Sequence, residues 1–172
     1  MDATLVISLL GALGLGSVVG QYVASMAERR GVRAAALGAL ASTENARWSG
    51  EGRANVSFPE AARSLESAAL VARLPRRAVT QYLTLAYAAS WLSHESWEHD
   101  PDPEYGGGIN TELANVVRRS ATLLTDLAWA PRLQRLRLRR RMAEIETIAD
   151  DISSKDVIRA LRSARLRQGS QT

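Results

Sequence analysis

The chain has 172 residues, enough for one domain of ordinary size and an additional element. It contains no cysteine, which excludes disulfide frameworks, thiolate nucleophiles and Cys-based zinc or iron–sulfur centres. The net charge is +4 and Lys155 is the only lysine among 22 basic side chains, so the positive surface consists of planar guanidinium forks suited to phosphates and carboxylates.

Ala3 to Ala27 carries no charged side chain and, at about 20 residues or slightly more, is long enough to cross the hydrocarbon core of a bilayer. Leu5, Val6, Ile7, Leu9, Leu10 and Leu13 favour insertion, whereas the interspersed Gly, Ser and Gln21 dilute the signal. Only Asp2 precedes this run, and Arg29, Arg30 and Arg33 follow it. The positive-inside rule then predicts a single-pass anchor in the cell membrane, amino terminus outside and body cytoplasmic. Ser25-Met26-Ala27 has the form of a signal-peptide cleavage site, but the start is acidic and the apolar run long for such a leader. A third reading buries the segment in the core of a soluble assembly.

Along this segment Ala12, Gly16, Gly20 and Ala24 recur every fourth residue, with a GxxxG step from Gly16 to Gly20. Such a stripe lets two helix backbones approach closely in lipid and predicts a homo-oligomer interface. In a segment so rich in small residues the same pattern also arises by chance.

The helical pattern continues past Arg30 to about Trp48, giving an anchor over residues 1–30 and a juxtamembrane helix over 31–48. Ser49-Gly50-Glu51-Gly52 interrupts it. Ser57 and Glu60 then form a capping box for a helix from about Pro59 to Arg73, which Pro75 ends. The next helix, Arg76 to Trp97, is apolar over a broad arc through Val79, Tyr82, Leu83, Leu85, Ala86 and Ala89, which predicts a central position.

Asp100-Pro101-Asp102-Pro103 and Gly106-Gly107-Gly108 predict a loop. Beyond it Leu113, Val116, Val117, Ala121, Leu124 and Leu127 form the clearest amphipathic stripe in the chain, with Arg118 and Arg119 opposite. Pro131 opens an arginine-dense helix whose apolar face is Leu138, Met142, Ile145, Ala149 and Ile152. A final short helix sets Val157, Ile158 and Leu161 against Arg159, Arg162 and Arg165, before a disordered tail at 169–172. The predicted fold class is all-α: a single transmembrane helix followed by a cytoplasmic helical bundle, its main domain spanning 57–168.

Three features bear on chemistry. His94-Glu95-Ser96-Trp97-Glu98-His99 holds both histidines, but five residues apart rather than the four that zinc peptidases need, so on a helix they point about 140° apart. His94, Glu98 and His99 are weak metal ligands on that count, and no cofactor is predicted. Asp100, Asp102 and Glu104 alternate as in a calcium loop, but the glycine falls one place late. Arg132, Arg135, Arg137, Arg139, Arg140 and Arg141 form the densest charge cluster, suited to an acidic partner: anionic lipid, at about 1 kcal/mol per basic residue near the surface, a protein, or nucleic acid. Glu144, Glu146, Asp150 and Asp151 follow it and can neutralise part of it. No catalytic constellation is complete. The sequence is therefore read as a non-enzymatic, membrane-anchored helical interaction or scaffold protein that self-associates or docks a cytoplasmic partner. Its rivals are a soluble Arg-rich binder of nucleic acid or an acidic protein, and a metal-dependent hydrolase using His94 to His99.

Overall fold

The computed structural model describes residues 15–48, 57–99, 110–152 and 154–169. Among them are six α-helices and no strand: α1 Leu15–Trp48, α2 Ser57–Val71, α3 Arg76–His99, α4 Thr111–Trp129, α5 Pro131–Asp150 and α6 Lys155–Gly169. Residues 3–14 of the expected membrane segment, with Ala12, lie outside the described residues. Its remainder opens α1, and among the described residues no helix is long and apolar enough to cross a membrane.

The α1 helix is 34 residues long, about 51 Å at 1.5 Å per residue, and passes unbroken through Gly31 and Gly38. Its buried positions Ala36, Leu40, Thr43 and Arg47 advance by four, three and four, a single stripe. In α2 the buried residues Phe58, Ala62, Leu65 and Ala69 advance in the same way. These two stripes pack on each other along their length. Small side chains bring the backbones close enough for the Thr43 hydroxyl to donate to the carbonyls of Ala39, at 2.8 Å, and of Ala61 on α2, at 3.1 Å.

The centre of the bundle is α3, which contacts α1, α2, α4 and α6. Its burial runs from Ala78 through Ala89 around most of the helix, as the broad apolar arc predicts. Phe58 meets Tyr87 edge-on with ring centres 4.9 Å apart, tying α2 to α3. On α4 the predicted stripe is buried at Leu113, Val116, Val117, Leu124 and Leu127, joined by Ser120 and Leu123. Asn110 accepts the Leu113 amide at 2.9 Å and so caps its first turn.

Sequence and structure part company at one helix end and on one helix face. The second helix stops at Val71 rather than Arg73, because Arg73 takes a left-handed conformation with φ 55°. The Arg73 amide donates to Leu70 O and that of Leu74 to Ala69 O, the two bonds of a Schellman cap, with Pro75 next. On α6 the buried stripe is Val157, Ala160, Leu161 and Ala164, while Ile158 is exposed. At 100° per residue Ile158 points away from the line of 157, 161 and 164, and the two alanines permit close packing on α3.

Candidate functional site

Three places in the molecule combine polar chemistry with shape. The first is buried. Tyr82 of α3 is fully buried, and its hydroxyl donates to Glu44 Oε1 of α1 at 2.6 Å. The other oxygen of Glu44 accepts from Arg47 at 2.7 Å, with the Arg47 side chain only 4% exposed. Burial, and next the adjoining Glu44 carboxylate, push the Tyr82 phenol well above its ordinary value of about 10, so it stays protonated as a donor. The cluster joins α1 to α3 and fixes their register.

The second is a cleft of about 590 Å³ between α3, α5 and α6. Leu85, Ile145, Ala149 and Leu161 contribute apolar walls, and Arg76, Arg77, Glu146 and Arg165 are among its polar residues. Gln81 crosses it, donating to Met142 O at 3.0 Å and more weakly to Glu146 at 3.4 Å.

The third lies at the end of the bundle where the exposed N-terminal part of α1 joins the other helices, a cleft of about 630 Å³. Glu28 to Arg33 of α1, the Val71 to Pro75 turn, the end of α4 and the start of α5 converge there. Arg29, Arg33, Arg73 and Arg135 line it against a single carboxylate, Glu28. Arg135 donates to the carbonyl of Arg73 at 3.2 Å, so the left-handed residue is held from across the cleft. Among the described residues none of these four guanidiniums pairs with a carboxylate.

This same end carries exposed apolar side chains. Leu70 and Val71 close α2, Trp129 closes α4, and Leu133 and Leu136 begin α5; Trp129 is 73% exposed and Leu136 85%. They account for five of the eight large apolar side chains that are exposed among the described residues, so the distribution is concentrated here. Ala130 alone separates α4 from α5, with Pro131 in the first turn of α5. That tight corner leaves Trp129, Leu133 and Leu136 outside the core.

The predicted arginine cluster is divided rather than presented as one patch. Arg141 donates to Asp126 of α4 at 2.6 Å and to Gln134 at 3.1 Å, fastening α5 to α4. Arg135 turns to the cleft, Arg137, Arg139 and Arg140 are exposed, and the Arg132 side chain lies outside the description. In the second basic group Arg165 faces Asp150 at 3.6 Å. The side chains of His94, Glu98 and His99 are likewise outside the description, and among the described residues no three His, Asp or Glu side chains gather at one point. Of the small-residue stripe, Gly16 and Gly20 lie within α1 and Ala24 is exposed.

Neither the Glu44–Arg47–Tyr82 cluster nor the four-arginine cleft is predicted from the sequence. Glu44–Arg47 and Arg29–Arg33 are local pairs on α1, but the partners they meet on other helices lie dozens of residues away and share no spacing signal with them; only the proximity of Arg29 and Arg33 to the apolar segment pointed towards the cleft. No protein-family model, curated protein or solved structure matches the chain.

Proposed function

We propose that this chain is a non-enzymatic, membrane-tethered helical interaction protein, held by its N-terminal segment and presenting the bundle to the cytoplasm. The observation that carries this reading is the course of α1. From Ala24 to Gly31 it is exposed apart from a half-buried Ser25, and its buried stripe starts only at Ala36. A helix that runs on beyond its own packing, preceded by an uncharged apolar stretch, is suited to hold a domain at a surface. The Ala12, Gly16, Gly20 and Ala24 stripe supports pairing with a second copy through that segment.

The nucleic-acid reading has less support. Arg141 is engaged within the fold, and among the residues whose burial is described Trp129 is the one exposed aromatic side chain, not one of a stacking series.

Fractionation of cells expressing the full-length protein tests the proposal. The chain is expected in the membrane pellet after washes with high salt and alkaline carbonate, and in the supernatant once residues 1–30 are deleted. Intact protein in the soluble fraction would refute the tether.

A further inference from the structure

We infer that the arginine-lined end of the bundle lies on the anionic headgroup layer of the bilayer that holds the N-terminal segment, with Trp129, Leu133 and Leu136 at the depth of the interface. The inference rests on the tether proposed above, and it adds the partner of the bundle surface itself.

Three observations converge on it. The exposed stretch of α1 meets the bundle at this end, since Glu28 to Arg33 line the cleft and Ala24, Met26 and Ala27 before them are exposed. A bilayer holding the start of the chain is therefore nearer to this end than to any other part. The charge is complementary, because four guanidiniums, none paired with a carboxylate among the described residues, line the cleft with one glutamate, and forked donors fit lipid phosphate oxygens. Finally, Leu70, Trp129, Leu133 and Leu136 are exposed, each within two residues in sequence of the cleft residues Val71, Ala128, Pro131 or Arg135.

A phosphodiester duplex would satisfy the guanidiniums but would offer nothing to the leucines. The boundary between phosphate and acyl chain satisfies both kinds of group within a few ångströms, and it is where indole rings collect. The left-handed Arg73, held by Arg135, keeps the α2–α3 turn turned into this cleft.

The test uses the full-length chain reconstituted in vesicles of phosphatidylcholine, with and without phosphatidylglycerol, containing lipid brominated on the acyl chain. Subtracting the emission of the Trp129→Phe variant isolates Trp129. Quenching of Trp129 is expected in the phosphatidylglycerol vesicles, with loss at high salt and in the variant carrying Arg29→Gln, Arg33→Gln, Arg73→Gln and Arg135→Gln. A second variant, Leu133→Ser with Leu136→Ser, keeps the charges and is expected to lose quenching as well; circular dichroism establishes that both are folded. Carbonate-resistant protein whose Trp129 is unquenched overturns the inference and leaves the tether intact. Equal quenching with and without phosphatidylglycerol, unaltered in the arginine variant, overturns the headgroup contact. Protein released by carbonate removes the tether and the inference together.

Discussion

Glu44, Arg47 and Tyr82 sit where α1 meets α3, Arg47 and Tyr82 buried and Glu44 partly so, while Trp129, Leu133 and Leu136 sit in the open at the corner between α4 and α5. Polar groups inside and apolar groups outside both cost free energy in an isolated domain, but for different reasons. The buried trio recovers its cost within the chain, because each charge or hydroxyl meets a partner at 2.6 or 2.7 Å. The exposed trio keeps most of its surface outside the core. Stability thus accounts for the first region, the association proposed above is our account of the second, and mutations should separate them.

The largest effect is expected at Glu44. Its replacement in Glu44→Ala takes the carboxylate from a buried guanidinium and from a buried phenol at once, and should destabilise the fold by about 2–3 kcal/mol. This is less than for a wholly buried pair, since the Glu44 side chain keeps 25% of its surface in water. Urea unfolding followed by circular dichroism measures it, and a loss under 0.5 kcal/mol, about the level of an ordinary surface change, would show that the cluster does not hold α1 on α3.

Tyr82→Phe comes next, with about 1–2 kcal/mol expected for a hydrogen bond to a charged acceptor. It should also change the alkaline behaviour. Because the folded phenol titrates above its ordinary value near 10, the fold binds one more proton than the unfolded chain once the pH passes that value. Its contribution is complete below pH 10 and falls as the pH rises further, by up to about 1.4 kcal/mol per pH unit. Unfolding midpoints measured between pH 8 and 11 should show this decline in the wild type and a shallower one in Tyr82→Phe; parallel curves would contradict it.

The smallest effect on stability belongs to the open corner. Leu133→Ser combined with Leu136→Ser should leave the unfolding free energy of the detergent-solubilised protein within about 0.5 kcal/mol of wild type. A clear destabilisation would mean that these leucines pack within the chain, and the contrast between the two regions would disappear.

Helices and their inner faces were largely legible in the sequence, because periodicity reports which side of a helix meets a neighbour. The α3 arc and the α4 stripe are examples, as is the Leu138 to Ile152 face, of which Ile145, Ala149 and Ile152 are buried. Ile158 misled because an apolar residue one place off the stripe is indistinguishable by type. Contacts across the fold were not legible: Glu44 and Tyr82 are 38 residues apart, Arg73 and Arg135 62 apart, and no local pattern announces either pairing. The arginine run was visible as a run. Its division between Asp126, the Arg73 carbonyl and solvent depended on where α4 and α5 came to lie.

The unbroken course of α1 also makes it a torsion rod. With no hinge between Leu15 and Trp48, the azimuth of the helix at its first described turn fixes that of the Thr43 contact, and each residue inserted would rotate one against the other by about 100°. Helical phase thus becomes a property of the whole chain, and a twist applied at one end is delivered to α2 at the other.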